Sequence, residues 1–190
     1  MIKKIIHIAD IHIRTIQLHD LYKEQFTKLL KEIQRHSVEW EKEGIEWHEV
    51  RIVIAGDIAH QKINISNEQI LLTSWFLTEL TQIGKVVIIP GNHDFLENNI
   101  QRLDSITPVV ELLNNENISY YKDGGVYEDD NVKAWHSVVG SDGKEIVADI
   151  TPYDSSTETL RLWIDAGMPN RIDSGPLHRE DLEKMIYERA

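Results

Sequence analysis

Three short apolar runs, separated by segments with helical periodicity, most constrain how this chain can fold. Residues 2–9, 50–55 and 85–89 are rich in isoleucine and valine, as expected of strands that are buried on both faces. Residues 17–35 repeat apolar side chains every three or four positions, and residues 66–83 form a second helical segment. This order of strand, helix, strand, helix and strand predicts an α/β fold with a mainly parallel sheet flanked by helices.

The later part of the chain has shorter elements and more turns. The sequence predicts a helix over 107–114, a strand over 118–122, a turn over 123–125 and a hairpin formed by 132–139 and 144–150. The pattern of residues 37–49 does not decide between an extension of the first helix and a charged loop. Beyond Thr151 we expect two short helical stretches and no clear sheet. We therefore divide the chain into a first region, 1–135, and a C-terminal hairpin and helical tail, 136–190.

Length, charge and cysteine content exclude several classes of protein. A chain of 190 residues is long enough to bury a core without disulfides. The absence of cysteine excludes thiolate zinc sites, iron–sulfur clusters and thiol catalysis. The apolar runs are too short to span a membrane and the first residues are a poor signal peptide, so we expect a cytoplasmic protein. Its net charge of −12 disfavours non-specific nucleic-acid binding, and a phosphate-bearing substrate would need bound divalent cations.

Candidate metal ligands follow each of the three predicted strands. Asp10 and His12 follow the first strand, Asp57 follows the second, and the third ends in Gly91-Asn92-His93-Asp94. Because ligands gather at the carboxyl ends of parallel strands, these side chains should meet at one edge of the sheet. Asp10 and His12 are two residues apart, so an extended backbone would project both to the same side.

The mixed donor set indicates the metal and the chemistry. Carboxylate, imidazole and amide donors suit Mn²⁺, Fe²⁺ or Zn²⁺ better than Ca²⁺. Two such cations would offset phosphate repulsion, activate water and stabilise in-line displacement at phosphorus. We expect a site for two divalent metal ions, with Mn²⁺ as the first choice and Fe²⁺, Zn²⁺ or Mg²⁺ as alternatives.

The three motifs carry a resemblance to a known family. Residues 7–12 (His-Ile-Ala-Asp-Ile-His), 55–58 (Ala-Gly-Asp-Ile) and 90–95 (Pro-Gly-Asn-His-Asp-Phe) resemble the first motifs of the calcineurin-like metallophosphoesterases. They are most similar to those of the SbcD-type DNA repair nucleases, which include a phage recombination endonuclease subunit. The resemblance covers about residues 1–135. It implies a layered metallophosphoesterase fold, a DNA exonuclease or endonuclease activity in recombination or repair, and an SMC-like ATPase as a partner.

The resemblance also implies a role for each motif residue. Asp10 and His12 would hold the first metal, Asp57 would bridge the two metals, and Asn92 would bind the second. His93 would stabilise or protonate the departing oxygen, and Asp94 would orient His93. An imidazole beside metals is suited to proton transfer near neutral pH, which agrees with this assignment.

Two further side chains near these motifs have alternative interpretations. Arg14 follows the first motif, where a phosphate contact and a solvated loop arginine are about equally favoured. His60 lies three residues past Asp57. A loop histidine is the favoured interpretation of His60, and a contact to substrate is the alternative.

The sequence departs from the family after the third motif. The family completes its site with later histidines, including a Gly-His-x-His motif, whereas this chain has only His136 and His178 after His93. We favour a strand histidine over a ligand for His136 and a solvent-facing position for His178. The second half of the fold is therefore expected to be incomplete, with a weak second metal site and an exposed sheet edge that favours association, such as a homodimer.

Three functions follow from these expectations. The first is a metal-dependent DNA nuclease. The second is a phosphoesterase for nucleotides or phosphoproteins. The third is a truncated, catalytically impaired relative that acts as a binding or assembly subunit, with its missing half on another polypeptide.

Overall fold

A computed structural model describes residues 1–14, 16–61, 64–91, 93–94, 102–123, 125–130, 132–136, 149–152, 158–164 and 172–177. The helices and strands are, in chain order, β1 (Lys4–Ala9), α1 (His19–Lys42), β2 (Val50–Ala55), α2 (Asn67–Thr81), β3 (Lys85–Ile89), α3 (Thr107–Leu113), β4 (Ile118–Tyr120), β5 (Gly125–Asp129), β6 (Val132–His136), β7 (Asp149–Pro152), β8 (Glu158–Ile164) and β9 (Ile172–Leu177). Single 3-10 turns precede α1 (Ile16–Leu18) and β2 (Trp47–Glu49). None of the helices in these ranges is long and apolar enough to cross a bilayer.

Six of the described strands form the main sheet, in the order β4-β3-β2-β1-β8-β9. The pairs from β4 to β8 are parallel, and β9 is antiparallel to β8. A separate antiparallel sheet contains β5, β6 and β7. The α/β fold with a mainly parallel sheet is therefore confirmed. Because β1, β2 and β3 are neighbours and parallel, their carboxyl ends share one edge, which carries the three motifs.

The main sheet buries apolar side chains on both faces. On one face, Ile6, Ile52 and Val86 lie in a cluster with buried residues of α1, α2 and α3. Phe26 of α1 stacks on Phe76 of α2 with ring centroids 4.1 Å apart. The opposite face has a smaller cluster of buried residues: Ile2, Ile5, Val53, Val87 and Ile89, with Tyr121 packed against it. Each such side chain contributes about 1.5–3 kcal/mol when fully buried. Because successive strand residues face opposite sides of the sheet, a shift of one residue would move these side chains to the wrong face, and their burial therefore holds the strands in register.

The structure answers two questions that the sequence left open or predicted incorrectly: the end of the first helix and the fold of the chain after Thr151. Residues up to Lys42 continue α1, and Trp40 is buried with the Lys4 Nζ 5.6 Å from its ring centroid. The prediction of helix without sheet is wrong for residues 158–164 and 172–177, which form β8 and β9, whereas residues 178–190 lie outside the described residues. In β8, Leu160, Leu162 and Ile164 occupy every second position, which is typical of a strand. Pairing with β1 satisfies the backbone hydrogen-bonding groups of β8 on that side.

The predicted hairpin is present as the antiparallel pair of β6 and β7. Val132 pairs with Pro152 and Trp135 with Asp149, while residues 137–148 and the expected turn at Asp142-Gly143 lie outside the described residues. Residue 125, expected in a turn, begins β5. The proposed boundary after residue 135 falls within β6, and the division into two regions stays a prediction.

Candidate metal centre

The residues that follow β1 and β2 leave the extended conformation. Asp10, His12 and Asp57 have positive φ angles of 53°, 49° and 54°. The expectation that an extended backbone aligns Asp10 with His12 is therefore wrong. Aspartate and histidine tolerate this region better than most residues, yet each such position costs on the order of 1 kcal/mol or more. The turned backbone buries Ile11 between them and still directs both side chains to the same place.

Asp10, His12 and Asp57 form the first group of donors. One ligand atom from each lies within 4.8 Å of the others. The His12 Nε2 is 3.6 Å from the Asp57 Oδ2, and both side chains are largely buried. Donors this close can share one cation at about 2.1 Å from each atom after small side-chain rotations. Two carboxylates and one imidazole therefore fit a divalent transition metal, in agreement with the donor types expected from the sequence.

Histidines 12, 60 and 93 form a second group that shares His12 with the first. Their candidate ligand atoms also lie within 4.8 Å of one another. The ring of His93 stacks on that of His60 with centroids 5.5 Å apart, and it meets His12 edge-on at 4.7 Å. His60 thus belongs to the site, although the sequence favoured a plain loop histidine. The spacing between Asp57 and His60 along the sequence does not predict this position. His60 reaches the site because the loop after β2 pairs with the loop after β1.

The loops after β1 and β2 pair with each other and hold these histidines. The His12 N–H donates to the Asp57 carbonyl at 2.7 Å, and the His60 N–H donates to the Ile13 carbonyl at 3.1 Å. Ile13 also forms a parallel bridge with Ala59. The Tyr22 hydroxyl of α1 donates to the His12 carbonyl at 2.6 Å. Parallel pairing therefore continues past the strand ends, which gives the donor groups a rigid frame.

Two glycines allow the loops after β2 and β3 to approach each other. A Cβ added to Gly91 would lie 2.2 Å from the Asp57 Oδ1, which is a severe clash. Gly56 has a φ of 79°, and a Cβ there would lie 3.0 Å from the Gly91 Cα. The Gly56 N–H donates to the Ile89 carbonyl at 2.8 Å. Glycine at both positions permits a contact that any larger residue would obstruct.

Asp94 has partners different from the one expected. Its side chain is fully buried, and its Oδ1 and Oδ2 accept from the backbone N–H groups of Ala59 and Gly91, each at 2.9 Å. The His93 Nδ1 instead lies 3.0 Å from the His60 carbonyl, to which it donates. The expectation that Asp94 orients His93 directly therefore does not agree with the hydrogen bonds of the structure. Asp94 joins the two loops, and the His60 carbonyl orients the imidazole.

Burial sets the protonation of the site. It lowers the pKa of His12, partly against the attraction of Asp57, and it lowers the pKa of His60 together with the nearby charge of Arg14. Burial raises the pKa of Asp94 to about 7, although backbone hydrogen bonds, among them those from Ala59 and Gly91, act to lower it. His12 and His60 therefore favour the neutral form at neutral pH, which is the form that binds metals.

Three further residues considered as ligands are Asn92, His136 and His178. Asn92 and His178 lie outside the described residues. His136 is the last residue of β6, where it pairs with Gly125 in the three-stranded sheet. The assignments of Asn92 to the second metal and of His136 as an alternative ligand stay predictions.

Comparisons with known proteins identify the family. The model of the calcineurin-like phosphoesterase family matches residues 3–181, well beyond residue 135. An uncharacterized protein of Acanthamoeba polyphaga mimivirus is 35% identical over 182 residues, which cover 93% of this chain. The chain spans only 12% of the length of that curated relative. On the extent of the family match, this chain belongs to the calcineurin-like phosphoesterases.

Proposed function

We propose that this chain hydrolyses phosphodiester bonds with the aid of two divalent cations, with Mn²⁺ as the preferred metal and DNA as the substrate. The proposal rests on one observation: Asp10, His12 and Asp57 converge within 4.8 Å at the ends of adjacent parallel strands, and His12 shares a second group with His60 and His93. Membership in the phosphoesterase family supports it.

The chain's own residues divide the work between holding cations and moving a proton. Asp10, His12 and Asp57 would hold the first cation, with Asp57 also facing the second. Bound divalent cations neutralise phosphate charge and lower the pKa of water. His93 is oriented by the His60 carbonyl, and in this proposal its imidazole donates a proton to the departing oxygen. His60 lies alongside, where its imidazole can contact a phosphoryl oxygen.

DNA as the substrate is the finer part of the proposal. It is supported by the similarity of the three motifs to those of SbcD-type nucleases. A chain with a net charge of −12 has little general attraction for DNA. We therefore propose that bound cations and an SMC-like ATPase partner bring DNA to the site, in a cytoplasmic complex of recombination or repair. A homodimer is the alternative assembly.

The test combines metal titration with cleavage assays. Mn²⁺ is titrated calorimetrically into metal-free protein, and cleavage of single-stranded and duplex oligonucleotides is then followed. In Asp57→Asn we expect Mn²⁺ affinity and turnover to fall by about 100-fold or more, because a ligand charge is lost. In His93→Ala we expect turnover to fall by roughly 100-fold with Mn²⁺ bound, as for loss of a general acid. Asp130→Asn and His48→Ala are matched controls, since both residues are exposed and lie at the opposite end of the sheet.

Each outcome separates one function from the others. Two Mn²⁺ sites, with DNA cleavage lost in Asp57→Asn and His93→Ala but kept in the controls, would support the proposal. Cleavage that persists in both variants would overturn it. Cleavage of nucleotides or phosphoproteins with DNA left intact would replace the substrate class. One weak metal site and no turnover would favour the non-catalytic binding subunit.

A further inference from the structure

Arg14 is an exposed cation beside the candidate metal centre. Within the part of the chain that the structure describes, its guanidinium forms no ion pair with a carboxylate, although the protein has an excess of acidic residues. Arg35 and Arg51, by contrast, are each paired with Asp or Glu side chains. Because Arg14 is exposed, an anion from solvent can reach its guanidinium.

The backbone around Arg14 is held from two sides. The preceding residue, Ile13, bridges to Ala59 and accepts a hydrogen bond from the His60 N–H. The His19 Nε2 at the start of α1 donates to the Arg14 carbonyl at 3.0 Å. The residue thus projects from a fixed point next to His60, rather than from a free loop.

The charge of Arg14 reaches the imidazoles of both donor groups. After burial, it is a further cause of the lowered pKa of His60, and it also contributes to lowering the pKa of His12. Because Arg14 follows His12 by two residues and its neighbour Ile13 is paired with Ala59 and His60, its charge lies near any phosphoryl group bound at the two donor groups. His12 and His60 cannot supply this charge in their neutral, metal-binding form.

We propose that Arg14 binds the phosphoryl group of the substrate through its guanidinium. A guanidinium offers parallel N–H donors that match two phosphate oxygens, which a point charge does not. In a chain with a net charge of −12, a fixed local cation offsets repulsion of the incoming anion. The role deepens the proposed function and rests on it.

The experiment compares Arg14→Gln with a charge-matched control, Lys31→Gln. Lys31 is exposed on α1, twelve residues after His19 and so about 18 Å farther along the helix. Two readouts are taken with Mn²⁺ present: binding of inorganic phosphate by calorimetry, and kcat and KM for bis(p-nitrophenyl) phosphate at low and high salt. Mn²⁺ binding and thermal unfolding are measured for every variant.

In Arg14→Gln we expect phosphate affinity to fall and KM to rise, each about tenfold, as for loss of one charge-assisted contact. Mn²⁺ binding and kcat should stay within about threefold of the parent, because Arg14 holds neither the metal nor the transferred proton. Added salt should weaken phosphate binding by the parent more than by the variant. Arg14→Lys, which keeps the charge but not the fork, should lie between the two and serves as the test if Arg14→Gln does not fold.

Two results would overturn the role of Arg14. One is equal phosphate affinity and KM in Arg14→Gln and Lys31→Gln, or in Arg14→Lys and the parent if Arg14→Gln does not fold. The other is a parent protein that binds no phosphate. Phosphate binding that depends on Arg14, without any diester cleavage, would support the role while overturning the proposed hydrolysis, so the two failures are distinguishable.

Discussion

At the scale of single residues, close contacts between loops shape the candidate centre. Asp94 accepts hydrogen bonds from one residue of the loop after β2 and one of the loop after β3. Asp57 in turn accepts from the His93 N–H at 2.8 Å through its Oδ1. The same carboxylate that offers a metal ligand therefore also holds the neighbouring motif. A small shift of either loop would move several donors together.

Gly91→Ala tests this close approach. The new Cβ would collide with Asp57, so we expect Mn²⁺ affinity to fall by about tenfold or more and stability to fall by roughly 1–3 kcal/mol. Gly44→Ala is the matched control: Gly44 has a φ of 77° but nothing within 4 Å of an added Cβ. That control should lose roughly 1 kcal/mol from backbone strain while keeping Mn²⁺ affinity. Urea unfolding and calorimetry measure the two effects, and unchanged metal binding in Gly91→Ala would contradict the steric explanation.

At the scale of elements, the short helix α3 depends on a buried carboxylate before its first turn. Asp104 accepts hydrogen bonds from the Ile106 N–H at 2.8 Å and the Thr107 N–H at 2.6 Å. It also pairs with the Lys122 Nζ at 3.1 Å, just after β4. The same side chain thus satisfies the start of α3 and ties it to the strand that follows. A helix of seven residues needs such tertiary support, because it is too short to be stable alone.

The stability lost in Asp104→Asn should depend on pH. Burial alone would raise the pKa of Asp104, but hydrogen bonds from Thr107 and Lys122 outweigh it, so the pKa lies below its usual 3.8. Because the folded pKa is depressed, the stabilisation is present above about pH 4 and is lost as pH falls through the folded pKa. We expect Asp104→Asn to cost about 1 kcal/mol at pH 7 and progressively less as the pH falls below the usual aspartate range.

Urea unfolding of the parent and the variant at several pH values measures this difference. Glu111→Gln, an exposed change on the same helix, is the control and should cost little at any pH. A penalty for Asp104→Asn that does not vary with pH would contradict the electrostatic explanation.

At the scale of the whole molecule, side-chain contacts join the main sheet to the three-stranded sheet. The buried Arg51 of β2 donates to both carboxylate oxygens of Asp129 in β5, at 2.5 and 2.9 Å. Tyr121 stacks on Tyr127 with ring centroids 4.1 Å apart. Because the guanidinium is almost fully buried, it needs this partner, and loss of the partner should loosen the attachment of the second sheet.

Asp129→Asn tests the link, and Asp130→Asn is its neighbour and control. Asp129 pairs with a buried cation, whereas Asp130 forms an exposed pair with the N-terminus. We expect Asp129→Asn to lower stability by roughly 2 kcal/mol and Asp130→Asn to have an effect near zero. Hydrogen exchange should also become faster in β5 and β6 for Asp129→Asn. Equal effects of the two substitutions would show that the buried pair does not connect the sheets.

The sequence by itself determined the central part of the fold and the identity of most donors. The strands β1, β2 and β3 and the helices between them follow from local burial patterns, because alternating or continuous apolar residues can be satisfied only in particular elements. The placement of Asp10, His12, Asp57 and His93 at one edge follows from the parallel order of those strands. The bounds of β2 and β3 agree with the expected ones at each end.

Only the tertiary structure decided how distant segments meet. β8 lies beside β1, although more than 150 residues separate Lys4 from its partner Glu158, and no local pattern specifies such a pairing. His60 joins His12 and His93 because two loops continue to pair beyond their strands, and Asp94 bonds to both loops rather than to the adjacent histidine. These arrangements depend on left-handed backbone positions and backbone hydrogen bonds between loops, whose partners are set by three-dimensional packing rather than by spacing along the chain.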